Sequence, residues 1–135
     1  MRTPLKKIRF LNTQNALEIH ADAIEKEGGS PGLRDIALLE SALAMPYATY
    51  DGHYLHDGLA AMAAAYLFHI CQNHAFVDGN KRAAASATLQ FLRSNGVAFA
   101  ALPDPEELKR VMLAVASGQM SKSEITEWLR TLYPK

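Results

Sequence analysis

The sequence predicts an all-α fold, a compact bundle of about six helices. Apolar side chains recur at helical spacing on both sides of a polar segment at 74–82, and caps, glycines and prolines mark where other helices begin and end. The chain has 135 residues, enough for one sizeable core, and shows no internal repeat, linker or low-complexity tract. Residues 1–135 are therefore expected to form a single domain.

Two helices are expected in the first third of the chain. The first should begin near Asn12 or Thr13, which favour helix N-caps, and should end at Gly28 and Gly29. A loop rich in glycine follows, and Asp35 should cap a short second helix.

His20 lies on the apolar face of the first helix, where core packing or an interhelical hydrogen bond explains it better than catalysis. Arg34 stands in the loop before the second helix. An exposed charge or a salt bridge explains Arg34 better than phosphate binding does.

The middle of the chain carries an aromatic segment, residues 46–57, ahead of the helix that leads to residue 74. His53, His56 and Asp57 lie in it, but a metal cluster there would lack a partner pair elsewhere in the sequence. The helix after the polar segment should stop at Asn95 and Gly96.

The last third should hold a short extended stretch at 97–99 and two further helices. Asp104, followed by a proline and two acids, is a strong helix start. Ser121, with a glutamate three residues later, forms the capping box of the last helix.

The polar segment between the third and fourth helices carries the chemistry. Within nine residues it contains a candidate base, an acid, an aromatic residue, a glycine turn and two cations: His74, Phe76, Asp78, Gly79, Asn80, Lys81 and Arg82.

The start of the fourth helix is a candidate anion site. Its first N–H groups lack partners within the helix and carry the positive end of the helix dipole. Gly79 can adopt a left-handed conformation that curls these N–H groups around an oxygen cluster, and Asn80, Lys81 and Arg82 fall at the helix start. These four residues are predicted to bind the oxygens of a polyphosphate.

The rest of the segment supplies a base, a metal ligand and an anchor. His74 is the candidate general base, because histidine is the side chain best suited to take a proton from an attacking hydroxyl near neutral pH. Asp78 offers one hard oxygen ligand, which suits Mg²⁺ held otherwise by water and substrate phosphates. Phe76 should be a buried anchor of the loop. Each residue taken alone also fits a helix cap or a turn, and only their combination favours a site.

The segment and its flanks resemble the Fic/Doc superfamily, and within it the death-on-curing (Doc) toxins. The resemblance covers nearly the whole chain. Its core is His-x-Phe-x-Asp-Gly-Asn-Lys-Arg, and matching stretches lie at 28–35, 39–43, 91–96, 114–118 and 128–130.

Two positions distinguish branches of the family. Where this chain has Lys81, Fic proteins that transfer AMP carry glycine, and where it has Ala85 they carry a second arginine. The Doc resemblance implies instead a kinase that moves the terminal phosphate of ATP to a serine or threonine, with His74 as base, Asp78 on Mg²⁺ and the cations on phosphate. AMP transfer and a catalytically idle partner-binding module remain the alternatives.

The same resemblance implies a toxin of a type II toxin–antitoxin system that phosphorylates elongation factor Tu and inhibits translation. Self-inhibited Fic proteins carry a Ser/Thr-x-x-x-Glu-Gly/Asn helix, but Ala23 stands at the Ser/Thr position before Glu27. Restraint is therefore expected from an antitoxin. In Fic-like proteins the segment ahead of the motif helix forms a flap, so residues 46–57 are a candidate contact for target or antitoxin.

Composition narrows the partners and the compartment. The 14 basic and 14 acidic side chains cancel, which argues against direct nucleic-acid binding and for a protein partner. Cys71 is the only cysteine and is expected to be a small buried residue in a reducing cytosol. No apolar run is long enough to cross a membrane and residues 1–7 lack a following signal-peptide stretch, so a cytoplasmic protein is expected.

Overall fold

The computed structural model describes residues 8–134, and the expectation for residues 1–7 lies outside that range. Six α-helices make up most of it, which confirms the all-α prediction. They are α1 Thr13–Glu27, α2 Ile36–Ala44, α3 Gly58–Asn73, α4 Asn80–Ser94, α5 Pro105–Ala116 and α6 Lys122–Leu132.

Helix α3 is the centre of the bundle. Every side chain from Ala60 to Leu67 is buried, and a helix that is apolar on all sides must be surrounded by other elements. Helices α2, α4, α5 and α6 pack around it, and α1 packs on α4 and α2. Since α3 ends at Asn73, the predicted site begins at the end of the most buried helix.

The helix starts confirm the cap predictions. Asn12 and Ser121 both form capping boxes at the starts of α1 and α6. Asp35 accepts hydrogen bonds from main-chain N–H groups of α2, and Asp104 accepts one from Glu107 in α5. These boundaries are set by side chains within a few residues of each helix end.

Two local features differ from the expectations. Residues 46–57 contain a two-stranded antiparallel hairpin, β1 Thr49–Tyr50 and β2 His53–Tyr54. Asp51 and Gly52 at its tip both have positive φ, as a two-residue hairpin turn of type I′ requires. The extended stretch expected at 97–99 stops at Ala98, because Phe99–Ala101 form a 3-10 turn.

Cys71 is buried, as expected. Across the part of the chain that the structure describes, no helix combines the length and apolar character needed to cross a membrane.

Candidate active site

The candidate site is the turn that joins α3 to α4. His74 follows the last residue of α3 in the left-handed conformation, with φ 51° and ψ 47°. Gly79 precedes α4 with φ 77°, also left-handed. A left-handed residue therefore stands at each end of the turn, and Asn80, Lys81 and Arg82 start α4 as predicted.

The loop between α1 and α2 runs alongside this turn. The amides of Arg34 and Asp35 both donate to the Ala75 carbonyl, at 2.7 and 3.0 Å. The Val77 amide donates to the Gly32 carbonyl at 3.1 Å. These bonds form a short antiparallel bridge, so the glycine-rich loop is part of the site's framework.

Phe76 and Asn80 fix the middle of the turn. The Phe76 ring is buried and stacks on the His20 ring, with centroids 3.8 Å apart. The Asn80 side chain accepts from the Phe76 amide and donates to the Phe76 carbonyl, both at 3.0 Å. The side chain of Asn80 is thus engaged by the loop, and its main-chain N–H is the group placed at the start of α4.

Asp78 presents an exposed carboxylate held by two amides. Ser30 N–H donates to Oδ2 at 3.1 Å and Gly79 N–H donates to Oδ1 at 2.8 Å. These two bonds, with a further contribution from the Arg82 guanidinium, hold the pKa of Asp78 below its usual value. Asp78 is therefore ionised at neutral pH. Its carboxylate has the chemistry of a hard oxygen ligand, which suits a Mg²⁺ ion that takes one ligand from the protein.

The two cations at the start of α4 have different surroundings. Arg82 Nη1 donates to the Gly28 carbonyl at 2.7 Å and lies 3.7 Å from the Glu27 carboxylate, so Arg82 also holds the end of α1. Lys81 is exposed. Its side chain borders a groove on the same face of α4 as Ala85.

That groove lies between α4, α5 and the 3-10 turn, with a volume of about 1010 Å³. Its walls are mainly apolar, and two of its side chains are strongly exposed: Phe99 at 76% and Leu113 at 53%. Glu27, Lys81 and Arg82 lie at the end nearest the site.

Two residues next to the site have contacts that the sequence did not predict. Arg34 is exposed, as expected, but its Nε donates to the His74 carbonyl at 2.8 Å and its Nη2 donates to the same oxygen. His20 is buried and hydrogen-bonded, as expected, but its partner at 2.7 Å is the Asp78 carbonyl of the turn rather than another helix. The sequence signal for both was a polar residue without a local partner.

His56 does not join His53 and Asp57 in a metal site. Its Nε2 and that of His69 each lie 3.0 Å from the Lys122 ammonium. Burial, and then the neighbouring ammonium, lowers the pKa of His69 to about 4. Between residues 8 and 134, no three His, Cys, Asp or Glu side chains form a group that could hold a metal by themselves.

Comparison with known proteins supports the family. The model of the Fic/DOC family matches residues 10–92. The protein kinase Doc of Escherichia phage P1 is 32% identical over 126 residues, covering 93% of this chain and 97% of that protein. The toxin Doc of Mycolicibacterium smegmatis is 43% identical over 90 residues, covering 67% of this chain and 69% of that protein. The resemblance read from the motif is confirmed: the chain belongs to the Fic/Doc family and is similar to its Doc toxins.

Proposed function

We propose that this protein is a Doc-type toxin, a protein kinase that transfers the terminal phosphate of ATP to a serine or threonine. The observation that carries the proposal is the single turn holding His74, the ionised Asp78 and the start of α4. The name of the phage relative, protein kinase Doc, supports the same reaction.

The chemistry follows from the positions of these groups. His74, exposed at the end of α3, takes the proton of the target hydroxyl. The hydroxyl oxygen then bonds to the terminal phosphorus as the bond to the ADP oxygen breaks. The N–H groups at the start of α4, with Lys81 and Arg82, bind the phosphates and offset their charge.

We include Mg²⁺ in the proposal because the site presents one carboxylate, that of Asp78. Asp78 would hold the ion together with phosphate oxygens and water, because no group of three protein ligands accompanies it among residues 8–134. When bound, Mg²⁺ would neutralise charge on the phosphates as the terminal one is transferred.

The preference for the terminal phosphate rests on Lys81 and Ala85. They lie four residues apart on α4, and both border the groove beside the site. A long cation stands where AMP transferases carry glycine, and a small side chain stands where they carry the second arginine. Both differences lie on one face of α4, and they favour a placement of the ATP phosphates that differs from the placement in AMP transferases.

We further propose elongation factor Tu as the target, an antitoxin as the restraining partner, and the cytoplasm as the location. A relative named as a toxin supports an antitoxin. The hairpin within 46–57 has an exposed Tyr50 and is one candidate contact. The apolar groove beside Lys81 is a second, because its walls expose Phe99 and Leu113 next to the phosphate-binding residues.

The deciding experiment is transfer of label to purified elongation factor Tu, run in parallel with ATP labelled at the gamma and at the alpha phosphate. Gamma label alone is the expected result. Alpha label would identify an AMP transferase, and absence of label from both would favour another target or a partner-binding module.

A variant of His74 and a control variant test whether His74 is the general base. His74→Ala should lower the rate at least about 10²-fold, the usual effect of losing a general base, while leaving the thermal unfolding temperature near that of the wild type. Gln90→Ala, at an exposed position of α4, is the control. Undiminished transfer by His74→Ala would contradict the assignment.

A further inference from the structure

Two side chains from outside the motif bind the main chain of its two reactive residues. Arg34 donates through Nε and Nη2 to the His74 carbonyl oxygen. His20 Nε2 lies 2.7 Å from the Asp78 carbonyl oxygen, and because a carbonyl only accepts, this nitrogen carries the proton. We infer that Arg34 and His20 are positioning residues, Arg34 for the base and His20 for the metal ligand.

His74 needs such support because of its backbone conformation. It is one of two residues other than glycine with positive φ between residues 8 and 134, and a side chain with a Cβ is strained there. Its imidazole is exposed, so packing does not fix its direction. The carbonyls at the end of α3 also lack helical partners, which makes them good acceptors for a guanidinium. Arg34 therefore sets where the His74 side chain leaves the backbone.

His20 holds the other end of the turn. Its side chain is 4% exposed and stacks on Phe76, so the ring has little freedom. Its bond to the Asp78 carbonyl fixes the backbone from which the exposed carboxylate projects. The amides of Ser30 and Gly79 then orient the carboxylate itself.

This inference rests on the proposed function, and it predicts that the two residues affect different steps. Loss of the Arg34 contact should slow proton removal by His74 and leave the Mg²⁺ requirement unchanged. Loss of the His20 contact should displace Asp78 and raise the Mg²⁺ concentration needed for half-maximal rate. A purely structural role would instead lower the folded fraction, and the rate and the Mg²⁺ requirement would not respond differently in the two variants.

The test measures kcat and the Mg²⁺ dependence of gamma-label transfer to elongation factor Tu at saturating ATP. Arg34→Ala should lower kcat roughly 10- to 100-fold, the scale of a small misplacement of a reacting group, and Arg34→Lys should restore part of it through one remaining donor. His20→Phe, which keeps the ring stack, should raise the half-saturating Mg²⁺ concentration about tenfold, and His20→Gln, which keeps a donor, should raise it less.

Asn95→Ala is the control, because the Asn95 side chain also donates to a main-chain carbonyl far along the chain, that of Arg9 at 2.9 Å, outside the motif and outside residues 46–57. It should leave both quantities at the wild-type values. Equal losses of kcat in Asn95→Ala and Arg34→Ala, or a wild-type Mg²⁺ titration in His20→Phe, would overturn the inference.

Amide hydrogen exchange gives a readout that does not need activity. Arg34→Ala should speed exchange of the Asp35 amide, which donates to the carbonyl of Ala75, the residue after His74. It should leave exchange of the Ser30 amide unchanged. His20→Phe should do the reverse, because the Ser30 amide bonds to the Asp78 carboxylate. If the wild type transferred no phosphate, the proposed function would fail while this measurement still decided the inference. Unchanged exchange at both amides would overturn it.

Discussion

Replacing Asn80 with alanine should destabilise the fold, because the two hydrogen bonds of its side chain would be lost. The side chain makes two hydrogen bonds of 3.0 Å, to the amide and to the carbonyl of Phe76. Each neutral bond contributes about 1 kcal/mol, and a buried amide left without a partner costs about 1 kcal/mol more. We expect a loss of about 2–3 kcal/mol in the free energy of unfolding. With a urea slope of roughly 1–3 kcal/mol/M, the midpoint should fall by about 0.7–3 M.

The assay is urea unfolding followed by circular dichroism, without nucleotide. Gln90→Ala, exposed on the same helix, is the control and should stay within about 0.5 kcal/mol of the wild type. Asn80→Asp keeps an acceptor for the Phe76 amide but sets an oxygen against the Phe76 carbonyl, so it should not restore stability. A loss below about 0.5 kcal/mol in Asn80→Ala would refute the view that this side chain serves the loop rather than the phosphates.

Two further changes probe the surroundings of the turn. A Cβ at Gly29 would stand 2.8 Å from Asp78 Oδ2 and 2.8 Å from Arg82 Nη2, whereas one at Gly28 would meet no atom within 4 Å. Gly29→Ala should therefore reduce phosphate transfer about 10²-fold, and Gly28→Ala, also at positive φ, is the control; equal activity in both would contradict the close approach. The second change is acidification. Unfolded chains bind a proton at His69 below about pH 6.5, but the folded protein does so only near its lowered pKa of about 4, so stability should fall as pH falls through this window. Allowing for partial solvent screening, the wild type should lose about 1 kcal/mol more than His69→Gln between pH 7 and pH 5 in urea unfolding, and parallel losses would count against the shift.

The helix limits could be predicted from sequence because each depends on neighbours. Asn12, Asp35, Asp104 and Ser121 bond to amides two or three residues ahead, a distance that the sequence itself displays. The motif was equally visible, since its residues are consecutive. What these local signals lacked was any information about which distant segment would lie against the turn.

The parts that could not be predicted are contacts between residues far apart in the chain. Arg34 is 40 residues from His74, and His20 is 58 residues from Asp78. In both cases the acceptor is a main-chain carbonyl, which every residue has and no sequence pattern marks. The hairpin in 46–57 was missed for a different reason, because strands of two residues are too short to show a periodicity.

Arg82 shows how one side chain can serve both the fold and the phosphates. Its Nη1 donates to the Gly28 carbonyl at 2.7 Å and to the Ala23 carbonyl at 3.4 Å, and so caps the end of α1. A guanidinium has five N–H donors in a planar fork, and the hydrogen bonds of Arg82 described within residues 8–134 use Nη1 alone. Nη2 lies on the side of Gly29 and the Asp78 carboxylate, where the phosphates are proposed to bind. Arg82 would then bind phosphate through Nη2 while Nη1 still held the end of α1. Arg82→Ala should cost about 1–2 kcal/mol of stability in urea unfolding and should weaken ATP binding in calorimetry, whereas a loss of ATP affinity with unchanged stability would contradict this double role.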